Sequence, residues 1–153
     1  MPDSITPPVT GAFQKGNVTP LSTGKERQIL IIEDSPTLRG MVRRALQKGF
    51  PDAVIREADE GRQAFSQMSQ KKVDLIITDL EMPGMDGQTF LALLKGNPVL
   101  SKKPVLVFSS NITPELQEQV REMRSVRLLA KPADAERIIG EVSLLLGDFP
   151  QGR

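Results

Sequence analysis

The segment VDLIITDLEMPGMDG, residues 73–87, decides how the chain reads. A short apolar run, Leu75-Ile76-Ile77, leads through Thr78 to an aspartate, Asp79, and a second acid, Glu81, follows. A turn built from Pro83, Gly84, Asp86 and Gly87 then redirects the chain. A buried strand that ends on a lone carboxylate is costly unless something compensates the charge. Nothing cationic lies within the segment, so the partner has to come from another part of the chain.

Outward from this strand the pattern is regular. Upstream, ILII (29–32) is a short apolar strand, and Ser35-Pro36 offers a helix cap with proline in the first turn. Leu38, Met41, Val42, Ala45 and Leu46 then recur at helical spacing, with Gly49 as a stop. AVIREA (53–58) reads as a second strand, and Ala64, Phe65 and Met68 as one face of a short helix. Downstream, Phe90, Leu91, Leu93 and Leu94 mark a third helix that ends near Gly96-Asn97-Pro98. PVLVF (104–108) is a fourth strand. Thr113-Pro114 opens a fourth helix with Leu116, Val120 and Met123 on one face. Val126–Ala130 is a fifth strand, and Ile138, Ile139, Val142, Leu145 and Leu146 define a last helix ending near Gly147. Apolar strands alternating five times with amphipathic helices predict an α/β fold, a parallel sheet covered on both faces. The expected domain spans 28–147. Residues 1–27, rich in proline, glycine and hydroxyl residues, read as a flexible tail or a segment without a role, and 148–153 as a short C-terminal tail.

Composition narrows the chemistry. The 153 residues contain no cysteine and no histidine, which removes disulfides, thiolate zinc sites and the commonest general base and metal ligand. The net charge of +1 argues against an overall field for nucleic acid or anionic membrane. No apolar run approaches the roughly 18 residues of a membrane span, and residues 1–20 lack the basic start and apolar core of a signal peptide. A soluble cytoplasmic protein is expected. Any site must rest on carboxylates, lysine, arginine and hydroxyls.

Those groups fall where open parallel sheets build sites, at the carboxyl ends of strands. Glu33 and Asp34 follow the first strand, Asp79 the third, Ser109 and Ser110 the fourth, and Lys131 the fifth. Each has a plain alternative: the acid pair could cap a helix and Lys131 could be a solvated turn lysine. Together they suggest a cleft in which converging carboxylates hold a hard cation such as Mg²⁺. Asp79 would then be a carboxylate nucleophile toward a phosphoryl group. Lys131 would pair with it at rest and with the phosphoryl group afterwards, and Ser109 would bond a phosphoryl oxygen.

At this point the chain resembles the receiver domain of two-component response regulators, a CheY-like fold. The resemblance rests on IIEDS (31–35), TDLEMPGMDG (78–87), PVLVFSS (104–110) and AKP (130–132), and it covers residues 28–147. The separations agree as well: 45 positions from Asp34 to Asp79, 30 from Asp79 to Ser109 and 52 from Asp79 to Lys131. It implies a doubly wound sheet of strand order 2-1-3-4-5 with five helices. It also implies Asp79 as phosphoacceptor, with Asp34, Asp79 and the backbone carbonyl of Glu81 on Mg²⁺ and Glu33 acting through water. Ser109 would be the switch hydroxyl and Lys131 the phosphoryl contact. The partners it implies are a sensor histidine kinase or phosphotransfer protein and a downstream protein, with no direct nucleic acid binding and no output domain in these residues. One position departs from the pattern: three residues before the lysine, where the family usually carries an aromatic ring, stands Leu128. An aspartate-nucleophile phosphohydrolase is a second reading, but it would carry an aspartate where Glu81 stands. A receiver fold that binds partners without phosphate is a third, favoured only by Leu128. A flavin-binding relative is disfavoured by the acidic EDSPT segment and the scarcity of aromatics.

Overall fold

The computed structural model describes residues 26–81, 87–98 and 100–147. The expected tail before residue 26, the turn residues Pro83, Gly84 and Asp86, and the segment 148–153 lie outside the described residues. The elements run β1 (Gln28–Ile32), α1 (Pro36–Gly49), β2 (Val54–Ala58), α2 (Gly61–Gln70), β3 (Leu75–Thr78), α3 (Gly87–Gly96), a short 3-10 turn (Leu100–Lys102), β4 (Val105–Ser109), α4 (Pro114–Val120), β5 (Val126–Ala130) and α5 (Ala135–Leu146). The five strands form one parallel sheet in the order β2-β1-β3-β4-β5. This is the expected 2-1-3-4-5 order.

Strand alternation divides the interior into two layers. Ile29, Ile31, Leu75, Ile77, Leu106, Phe108 and Leu129 face Val42, Leu46, Ile138, Ile139 and Val142 of α1 and α5. Leu30, Ile32, Ile76, Val105, Val107 and Val126 face Ala64, Leu91, Leu116 and Val120 of α2, α3 and α4. With helices on both faces, β1, β3 and β4 are buried almost throughout, and their continuous apolar runs follow from that. No described helix is long and apolar enough to cross a membrane.

Local chemistry sets the helix ends. Ser35 accepts from the amide of Leu38 at 3.2 Å, with Pro36 in the first turn, and Thr113 accepts from Leu116 at 3.1 Å ahead of Pro114. Asp134 caps α5 in the same way, and Gly147 ends it with φ 71°, a conformation that glycine adopts without steric penalty. Gly49 is the last residue of α1, as expected, and a Cβ there would stand 2.7 Å from Ile139 Cγ1. Its value is the close approach of α1 to α5. Leu93 departs from expectation: it is 49% exposed, while Leu91 carries the buried face of α3.

Candidate functional site

The sheet brings its acidic and basic residues together at one edge. β1, β3 and β4 lie side by side, so Glu33 and Asp79 emerge from adjacent strands, and the amide of Asp79 donates to Ile32 O at 3.2 Å. On the other side, the amide of Lys131 donates to Ser109 O at 2.9 Å, which seats the lysine just past the end of β4. The Lys131–Pro132 peptide is cis.

Lys131 is the hub. Its Nζ donates to Asp79 Oδ2 at 2.8 Å and to Glu33 Oε1 at 2.9 Å. The ammonium also stands 5.5 Å from the centre of the Phe108 ring, within cation–π range. All three charged groups are withdrawn from water: Glu33 is 4% exposed, Asp79 7%, and the Lys131 side chain 12%. Burial pushes the lysine toward deprotonation. Hydrogen bonds from its ammonium to Asp79 and Glu33, together with their negative charge, outweigh that and raise it above the ordinary lysine range.

The other carboxylate oxygens are also engaged. Asp79 Oδ1 accepts from the amides of Leu80 at 2.6 Å and Glu81 at 3.2 Å, and Thr78 Oγ1 donates to the Asp79 carbonyl at 2.8 Å. Glu33 Oε2 accepts from the amide of Ser35 at 3.1 Å. Ser109 is fully buried as the last residue of β4, and its Oγ accepts from the amide of Asn111 at 3.1 Å, whereas Ser110 is exposed.

Of the expected residues, then, the structure draws Glu33, Asp79 and Lys131 into direct contact and sets Ser109 on the strand beside the lysine. Asp34 and Glu81 are exposed at the rim. Among the described residues, no three acidic side chains already stand in a metal-holding group. The Lys131 ammonium lies where the Glu33 and Asp79 carboxylates meet. Glu33, expected to reach the cation through a water, also accepts a direct bond from Lys131. The donor set still fits a small hard cation. It is made of oxygen alone, and two carboxylates against one ammonium leave a net negative charge beside Asp34.

Two contributors were not anticipated. Arg39 Nη1 donates to Glu33 O at 2.7 Å and its Nε to Glu57 Oε1 at 2.8 Å. Arg43 also pairs with Glu57, while Arg44 is exposed. Burial raises the Glu57 carboxyl, but Arg43 and Arg39 outweigh it and hold the group below the ordinary glutamate range. A charged pair, Arg56-Glu57, inside an otherwise apolar strand was the signal available in the sequence. Leu128 is half-buried, pairs in register with Val107, and packs against the α2–α4 layer.

Known proteins share this fold. Residues 29–143 match the response regulator receiver domain. The chain is 28% identical over 128 residues to the probable chemotaxis protein CheY of Rhizobium etli, covering 83% of this chain and 98% of that one. It is 32% identical over 127 residues to the gliding motility regulatory protein of Myxococcus xanthus, where the match covers 83% of this chain but spans only 15% of the larger protein. Among solved structures, the signal receiver domain of a signal transduction histidine kinase from Syntrophus aciditrophicus superposes with a TM-score of 0.69 at 29% identity, covering 83% of this chain and 95% of that one. The chemotaxis response regulator CheY4 of Vibrio cholerae gives 0.70 at 25%, covering 80% and 100%. The fold, the strand-end residues and these matches agree, and the chain belongs to the response regulator receiver domain family of two-component signalling.

Proposed function

We propose that the protein is a phosphorylation-switched signalling module of the cytoplasm, with Asp79 as its phosphoacceptor. The observation that carries this reading is the Lys131 ammonium held between buried Asp79 and Glu33, at 2.8 and 2.9 Å. A lysine so placed is charged and fixed beside the carboxylate before any phosphoryl group arrives. The donor is a histidine kinase or phosphotransfer protein. An Asp79 carboxylate oxygen attacks phosphorus, the P–O bond forms, and the P–N bond to the donor imidazole breaks.

Asp34, Asp79 and the Glu81 carbonyl would hold Mg²⁺, with Glu33 acting through water; when bound, the ion neutralises charge on the transferring group. Lys131 exchanges its bond to Asp79 Oδ2 for one to a phosphoryl oxygen. Ser109 turns its hydroxyl from the Asn111 amide toward the same group. The Asn111 loop and the α4–β5 surface follow, and a downstream protein reads that surface. Leu128 cannot supply a hydroxyl-bearing or flat ring to this step, so the change is carried by the Ser109–Asn111 loop and the packing of Leu128.

The test is incubation with Mg²⁺ and acetyl phosphate, read by intact mass. Wild type is expected to gain one phosphoryl group and Asp79→Asn none. An unmodified wild type would favour a receiver fold that binds partners without phosphate, a reading that Leu128 alone supports. Continuous phosphate release without a labelled protein would instead indicate a phosphohydrolase.

A further inference from the structure

The Glu33 carbonyl belongs to the peptide that joins Glu33 to Asp34, and so orients both acids. Among the described residues, a side chain from outside the loop grips it: Arg39, with Nη1 at 2.7 Å. The same guanidinium is held on its Nε edge by Glu57 Oε1 at 2.8 Å, and the Arg39 side chain is only 20% exposed. Glu57 is anchored in turn. It lies within β2, opposite Ile31 of β1, and its carbonyl accepts from Gln67 Nε2 of α2 at 2.8 Å. A chain of contacts therefore runs from α2 and β2 through Glu57 and Arg39 to the acidic loop, and on through the Glu33 carboxylate to Lys131 and Asp79.

We propose that Arg39 is a positioning residue for the cation site: its guanidinium fixes the peptide between Glu33 and Asp34 and is itself oriented by Glu57. The inference rests on reading Asp34 and Glu33 as cation-holding acids. Its physical content is a contradiction between geometry and charge. Arg39 is a cation close to a site that takes a cation, so electrostatics alone makes it unfavourable to Mg²⁺. As a fixed outer support for the ligand loop it is favourable, because a loop that must be ordered on binding costs affinity. The planar fork meets the two partners with separate nitrogens, Nη1 and Nε, held in one rigid plane, whereas a lysine would have to reach both from a single point on a flexible stem.

The experiment is calorimetric titration of the unphosphorylated protein with Mg²⁺, on wild type, Arg39→Gln, Arg39→Lys and the exposed control Arg44→Gln. Fitting stoichiometry and affinity separately means that partial unfolding lowers the first and not the second. Arg39→Gln is expected to weaken binding roughly tenfold, as loss of an outer-shell support does, with Arg39→Lys in between. Arg44→Gln should stay within about twofold of wild type, since salt screens an exposed charge. Unchanged or tighter binding by Arg39→Gln, or an Arg39→Lys indistinguishable from wild type, overturns the inference, as does a wild type that binds no Mg²⁺. If affinity depends on Arg39 but Asp79→Asn is labelled as well as wild type, the phosphoacceptor reading fails while the role of Arg39 stands.

Discussion

Replacing Lys131 with methionine keeps the unbranched stem, one atom shorter, and removes its charge. Two contacts near 3 Å at an effective dielectric near 20 are each worth about 6 kcal/mol before desolvation. Desolvation of three charges offsets most of that in the native protein. In the variant it is not offset, because Glu33 at 4% exposure and Asp79 at 7% are left without a counter-charge. Removing one partner of a buried ion pair typically destabilises by about 3–5 kcal/mol, and the same range is expected here at neutral pH. For a domain of this size that lowers the melting temperature by roughly 10 °C. Urea unfolding at several pH values is the assay. The deficit should shrink in alkali, where wild-type Lys131 loses its proton and with it the contribution the variant lacks, and Lys131→Met/Asp79→Asn should recover part of it by removing one of two repelling charges. A single variant within about 1 kcal/mol of wild type at neutral pH, inside the range of an exposed pair, would refute the account of the cluster. So would a deficit that does not change with pH.

Other expectations follow from particular contacts. Gly49→Ala places a Cβ 2.7 Å from Ile139 Cγ1 and should cost about 1–3 kcal/mol through overpacking, measured by urea unfolding. Ser109→Ala leaves the Asn111 amide without its acceptor and should cost about 1 kcal/mol, with slower labelling by acetyl phosphate. Because Glu57 is held below its ordinary range, its contribution is present above the unfolded value near about 4.3 and is lost as pH falls through the folded one. The stability gap between wild type and Glu57→Gln should therefore close in acid. Lys131 has the opposite sign: its contribution is complete below about 10.4 and is lost as pH rises through its raised folded value, so Glu33→Gln should flatten the alkaline limb of the stability profile.

The strands were legible because burial on both faces writes itself as uninterrupted aliphatic runs. Leu75–Thr78 and Val126–Ala130 are the boundaries expected, and the fourth strand is displaced by one residue, to Val105–Ser109. The caps at Ser35 and Thr113 were legible because a hydroxyl ahead of proline has a local mechanism. What escaped was non-local. Gly49 reads correctly as the end of α1, but its close approach to Ile139 of α5 is not local, and the partnership of Arg39 with Glu57 and Glu33 joins three separated segments that no periodicity links. Glu33 illustrates the same boundary. Its place at the site follows from its strand end, but its direct bond to Lys131 depends on where the fifth strand delivers the ammonium.

Among the described residues the buried side chains fall into two clusters divided by the sheet, and this has a consequence for how the protein tolerates change. Val107 and Phe108 are neighbours in the chain yet belong to different packing communities, while Val107 and Val120, far apart in sequence, share one. Volume lost at Val107 is felt by α4 and passes Phe108 by. Repacking the α1–α5 layer therefore needs no compensating change in the other, and each side of the sheet is free to accumulate its own solutions while the strands keep the reacting edge in register.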